Sequence, residues 1–144
     1  MESEQNRLKY TVLKNKLIEE MKELRFFGAI DLEENAFVLG NTFTPEDAIL
    51  IKDAKIVFES EEKVVLEETD VYNDRYTVKV KRPKEIRARV IMEDGEKTTV
   101  RYSGLTARFF QQMMDQLNGV SSRDRANRYH RDLADRKRRK NVKI

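Results

Sequence analysis

The chain has no cysteine, two prolines, five glycines and one histidine in 144 residues. The lack of cysteine rules out a disulfide framework and a thiolate zinc site, and a reducing place of synthesis is the expected setting. The single imidazole, His130, stands beside arginines and reads as a surface residue rather than a ligand. No apolar run approaches ~18 residues, so no membrane-crossing helix is expected, and no signal peptide is recognisable.

Charge is plentiful instead. Asp, Glu, Lys and Arg make up 38% of the chain, and hydrophobic residues at 39% suffice for the single core of one domain. The net charge of +3 is unevenly placed. Residues 121–144 carry ten Lys/Arg against three Asp/Glu, a net of +7, while residues 1–120 carry nineteen against twenty-three, a net of −4. Three segments are expected: an N-terminal helix over 1–28, a core over 29–120 and a basic arm over 121–144.

Residues 3–25 read as an amphipathic helix, with Tyr10, Leu13, Leu17, Met21 and Leu24 recurring every three or four positions and Gly28 as its stop. Its apolar face fits either the core or a partner. The middle is β-rich. Strands are expected over 36–39, 48–51, 55–58, 63–67, 75–80, 85–93 and 97–102, with Pro45 and Pro83 at edges or turns. Glu93-Asp94-Gly95-Glu96 is a hairpin signal of the type I′ kind. A helix follows, capped by Ser103, with Leu105, Phe109, Met113 and Leu117 as its apolar stripe.

That helix reads Gly104-Leu105-Thr106-Ala107-Arg108-Phe109-Phe110-Gln111-Gln112-Met113-Met114-Asp115-Gln116-Leu117-Asn118-Gly119. It resembles the last conserved motif of peptide deformylases, roughly G-L-x-A-R-x-x-Q-H-E-M-D-H-L-N-G. The likeness extends from about Phe37 to Gly119, through Ile51-Lys52-Asp53-Ala54-Lys55-Ile56-Val57, Ser60-Glu61-Glu62 and Lys81-Arg82-Pro83. It implies an α+β fold with mostly antiparallel sheets packed around a central helix at about 103–118. A helix precedes that core and a basic helical arm follows it.

In the family motif, H-E-x-x-H sets two imidazoles one turn apart on one metal ion, with the Glu as general base. Here those positions hold Gln112, Met113 and Gln116. A carboxamide is a weak ligand for a transition metal, and a thioether cannot accept the proton. The family's third ligand, a Cys, aligns with Asp70. The family's first motif, G-x-G-x-A-A-x-Q, supplies an oxyanion-holding Gln, and no counterpart is found in the segment Glu23 to Asp31. The expectation is therefore a chain that is not an enzyme, without metal or cofactor, with Asp70, Gln112, Met113 and Gln116 as degenerate positions. A small carboxylate site drawn from residues such as Asp31, Glu67 or Glu68 is the alternative.

In the arm, Ser122 is expected to cap a helix with Ala126, Tyr129 and Leu133 on a thin apolar stripe. Arg123, Arg125, Arg128, Arg131, Arg136, Lys137, Arg138, Arg139 and Lys140 are the candidate partner-binding cations. They suit a solvated helix, an acidic groove of a protein, or nucleic-acid phosphates. No aromatic ladder accompanies them, which argues against a sequence-specific reader. The segment Lys79-Val80-Lys81-Arg82-Pro83 resembles the short deformylases of contractile-tailed bacteriophages. A structural or binding subunit of a larger assembly is thus expected, most specifically a phage baseplate, neck or tail part made in the host cytoplasm. A ribosome- or RNA-associated accessory protein using the basic arm is the alternative. No membrane partner is expected.

Overall fold

A computed structural model describes the backbone of residues 2–70 and 73–142, and within it the side chains of 4, 5, 7–69 and 76–139. The order is α1 (Glu2–Leu24), β1 (Gly28–Asp31), β2 (Ala36–Leu39), a 3-10 turn (Pro45–Asp47), β3 (Ile49–Glu59), β4 (Lys63–Asp70), β5 (Asn73–Pro83), β6 (Glu85–Ile91), β7 (Lys97–Ser103), α2 (Gly104–Leu117), α3 (Ser122–Arg125) and α4 (Arg128–Val142). One five-stranded sheet runs β1-β2-β3-β6-β7 and a second pairs β4 with β5. Every pairing is antiparallel. This is the α+β architecture expected from the sequence. No helix among the described residues is long and apolar enough to cross a membrane.

The large sheet is covered on both faces. Every residue of β2 is buried: Ala36 and Val38 meet Leu13, Leu17 and Met21 of α1, while Phe37 and Leu39 meet Phe110 and Met113 of α2. The i, i+4 spacing of Leu13, Leu17 and Met21 gives α1 its stripe, as expected. The small sheet has its own core, where Tyr76, Val78 and Val80 pack on Ala126 and Ala134.

Local expectations needed correction. β3 is one strand, not two. Its ladder to β6 shifts register between Lys52 and Lys55 and again between Ile56 and Phe58. Asp53 sits at φ +50°, where its N–H donates to the Asn35 carbonyl at 2.9 Å and its carboxylate accepts from Asn35 Nδ2 at 3.2 Å. Asp tolerates that conformation, so a bulge forms between the two strands expected over 48–51 and 55–58. Helix α1 stops at Arg25, which adopts φ +53° while Phe26 N–H returns to the Met21 carbonyl. Gly28 lies inside β1 instead.

The β6–β7 hairpin forms, with Gly95 N–H on the Met92 carbonyl at 2.8 Å and Gly95 at φ +84°. Asp94 keeps a negative φ, so the turn is not type I′. Ser103 precedes α2 but its hydroxyl makes no cap bond. The arm is two helices, because Ala126 is extended and Asn127 caps α4 by accepting from His130 N–H at 2.8 Å. Ser121, not Ser122, caps α3 in a capping box with Asp124.

Candidate functional site

Helix α2 lies between the two sheets and buries two faces of different chemistry. Ala107, Phe110 and Met113 enter the apolar core, while Leu105, expected on that stripe, is 59% exposed. Arg108, Gln111, Gln112 and Asp115, spaced i, i+3, i+4 and i+7, form a buried polar face. That face meets Arg82 and Glu68 of the small sheet, which lie on the same strand faces as the buried Val78 and Val80 and as Leu66, two residues apart.

These groups form one ionic network. Arg82 donates from Nε and Nη2 to the Glu68 carboxylate at 2.6 and 3.0 Å, and from Nη1 to Asp115 at 2.9 Å. Arg125 of α3 donates a fork to Asp115 at 3.1 and 2.8 Å. The Ser122 hydroxyl donates to Glu68 at 2.8 Å. Arg108 donates to the carbonyls of Val64 and Leu66 at 3.1 and 3.0 Å and to that of Val80. Its Nε lies 3.1 Å from Glu68, off the line of a hydrogen bond.

Burial works against the charge of Arg82, but the bonds and charges of Glu68 and Asp115 outweigh it and hold the guanidinium above its ordinary value. Burial lowers Arg108; the Glu68 charge opposes this and the nearby Arg82 charge adds to it. Together three cations enclose two carboxylates, and the network ties the small sheet, α2 and α3 together. Sequence reasoning missed it. The signal was present in the strand alternation that puts Arg82 in line with Val78 and Val80, and in the helical spacing of Arg108 and Asp115.

Beside the network is a cavity of about 240 Å³ lined by Gln112, Gln116, Thr69, Arg82 and Phe26. A second, of about 470 Å³, shares Phe26, Thr69 and Gln112 with it and continues over Leu24, Leu105 and Phe109. Phe27 stacks on Phe109 with ring centroids 3.9 Å apart. The Leu24–Phe27 turn, β4 and α2 thus form a continuous cleft with an apolar wall and a floor of carboxamides.

Of the singled-out positions, Gln112 and Gln116 come together in this cleft. Met113 faces away, into the core beside Gly28. The side chains of Asp70 and Lys140 lie outside the described residues. Among the described residues, the donors present do not fit the metal ion that the deformylase resemblance implies. Neither carboxamide carries charge or a strong donor atom, and Met113 is buried in apolar surroundings.

The eight arm cations whose side chains are described divide in two. Arg123 forks onto Asp135 at 3.2 and 2.9 Å, Arg125 binds Asp115, and Arg131 donates to the Arg123 and Ala126 carbonyls at 3.1 and 3.0 Å. Arg125 ties the arm to α2, and Arg123 and Arg131 tie α3 and α4 of the arm to each other. Arg128, Arg136, Lys137, Arg138 and Arg139 are exposed. Of the expected apolar stripe Ala126 is buried, joined by Ala134, while Tyr129 and Leu133 are 68% and 44% exposed.

The polypeptide deformylase family profile matches residues 9–132. A comparison with curated protein sequences finds no match. Among solved structures, a peptide deformylase from Plasmodium falciparum superposes with a TM-score of 0.80 at 20% identity, covering 94% of this chain and 83% of its own. A probable peptide deformylase from Synechococcus phage S-SSM7 gives 0.73 at 25% identity, covering 83% and 84%. The plant peptide deformylase 1B gives 0.78 at 23%, covering 92% and 76%. These matches correct one expectation. The family and the similar structures are peptide deformylases, which are enzymes, so the inference from positions 112, 113 and 116 to a chain that is not an enzyme does not stand.

Proposed function

The chain belongs to the polypeptide deformylase family, and from that premise we propose that it serves as a structural or binding subunit of a larger assembly. The specific form of this reading is a virion component of a tailed phage, in the baseplate, neck or tail. The outer face of α4 carries the reading. Internal ion pairs and the buried Ala126 and Ala134 fix the helix in place, so its outward cations and the exposed Tyr129 and Leu133 form a standing surface, not a loose tail. A basic rim around exposed apolar side chains suits an acidic protein surface. The 25% identity to a phage deformylase supports the phage setting.

The test is affinity capture from the native source with the intact chain and with Arg136→Glu/Arg138→Glu/Arg139→Glu. Capture of particle subunits by the wild type, lost in the variant, supports the reading. Equal capture by both proteins would remove α4 as the docking surface. Deformylation of a formyl-peptide, assayed in both proteins, reports on the cleft separately.

The run Arg136 to Arg139 favours a second reading, an RNA- or ribosome-associated accessory protein. Phosphate binding through four cations implies an affinity that falls steeply with salt, roughly as the fourth power for a duplex. A protein interface with an apolar centre should hold far better between 50 and 200 mM salt.

A further inference from the structure

The loop between β2 and β3 presents Phe43 at 93% exposure. The loop is locally held. Asn41 Oδ1 accepts from the Phe43 N–H at 2.9 Å, the Thr44 N–H at 2.8 Å and the Thr44 hydroxyl at 3.2 Å, and the 3-10 turn Pro45–Asp47 follows. An aromatic side chain thus stands almost wholly exposed on a loop whose backbone is held. Residues 40–48 carry two carboxylates, Glu46 and Asp47, and no cation.

A surface of opposite character lies elsewhere on the molecule. Between α4 and the small sheet is a groove of about 220 Å³ with Val78, Tyr129 and Leu133 in its wall and Lys79, Lys137 and His130 at its rim. A cavity of roughly 150 Å³ accepts a benzene ring, so this groove has room for a phenylalanine side chain. Its one lining carboxylate, Glu67, stands across the β4–β5 ladder from Lys79.

We propose that the occupant of this groove is a second copy of the chain, with Phe43 of one copy seated between Tyr129 and Leu133 of the next. Glu46 and Asp47 then face Lys79 and Lys137. The charge division follows the same line, with −4 over residues 1–120 and +7 over residues 121–144. The knob is on a loop that packs with α1, and the groove is on α4 and the small sheet, so the contact is head-to-tail. Such a contact repeats into a ring or an open row instead of stopping at a two-fold dimer. The proposal rests on the reading of the outer face of α4 as a binding surface and names what binds there.

The experiment is sedimentation of the intact chain over a concentration series, with Phe43→Asp, Leu133→Asp and their equimolar mixture. Both positions are exposed, and thermal melts confirm that each variant is folded. The wild type is expected to associate with rising concentration, and each variant alone to stay monomeric. The mixture is expected to form a one-to-one dimer and nothing larger, because it retains one intact knob and one intact groove. A wild type that stays monomeric, a single variant that still associates, or a mixture that does not pair overturns the proposal. A monomeric wild type that still captures its native particle through α4 removes the second copy as occupant and leaves the assembly reading in place.

Discussion

Gly28 and Met113 determine one another. A Cβ on Gly28 would stand 2.4 Å from the Val38 carbonyl oxygen and 2.8 Å from the Met113 sulfur. The thioether therefore fills the space beside a strand that tolerates no side chain. Gly28→Ala should lower stability by about 1–3 kcal/mol in urea unfolding, because the backbone oxygen cannot yield as a flexible side chain does. Arg25 gives the opposite case. It ends α1 at φ +53°, where a side chain is strained and glycine is not. Arg25→Gly should raise the urea midpoint by about 1 kcal/mol of stability. Among charges, burial sets the effect. Asp115→Ala leaves Arg82 without one of its two carboxylates and should cost about 3–5 kcal/mol. Arg101→Ala breaks an exposed pair with Glu85 and should cost under about 1 kcal/mol by the same measurement.

At the scale of elements, α4 is held on β5 by a titratable contact. The Tyr76 hydroxyl donates to Asp135 Oδ1 at 2.9 Å, and Arg123 forks onto the same carboxylate. Burial, and then the bond to Asp135, push the Tyr76 hydroxyl up to about 12. A raised value means that the folded state favours the protonated form. This contribution is thus complete below pH ~10, the ordinary value, and is lost as pH rises through about 12. Arg123 is the main cause that lowers the Asp135 carboxyl, whose contribution is lost instead as pH falls below the ordinary carboxylate range. Wild type should lose on the order of 2 kcal/mol between pH 9 and 12, and Tyr76→Phe should show a flatter alkaline limb in thermal melts. A parallel decline in both proteins would contradict this docking. The elements also show what a sequence can convey. The period of α1 and the alternation of β5 are repeated signals, so a single exception does not hide them. The bulge at Asp53, the left-handed stop at Arg25 and the break at Ala126 each depend on one residue's conformation. Their partners are Asn35, Met21 and the surface of the small sheet, and spacing does not reveal them. The buried face of α2 was read only in part: Met113 of the expected stripe is in the core, but Phe110, one step from it, joins it against one sheet while Arg108 and Asp115 meet the other.

Across the whole molecule, the arm is not a removable tail. Ending the chain at Gly119 would take Arg125 from Asp115 and Ser122 from Glu68, and would uncover Tyr76, Val78 and Val80. That truncation should lose on the order of 3–5 kcal/mol, read as a lower melting temperature, so loss of binding on truncation cannot separate docking from folding. Charge reversal on the outer face of α4 can, since Arg136, Arg138 and Arg139 are exposed. The fold and the cleft frame follow the deformylase family, and the motif in residues 104–119 makes that legible in the sequence alone. Family membership also overturned the expectation drawn from the missing imidazoles, because three side chains define one metal site and not the range of a fold. The most direct test of the account is to purify the native particle to constant composition and quantify this chain in it by mass spectrometry. The account predicts a fixed number of copies per particle, abolished by Arg136→Glu/Arg138→Glu/Arg139→Glu. Recovery of the chain only free in the lysate, or only with ribosomes and released by moderate salt, would contradict it.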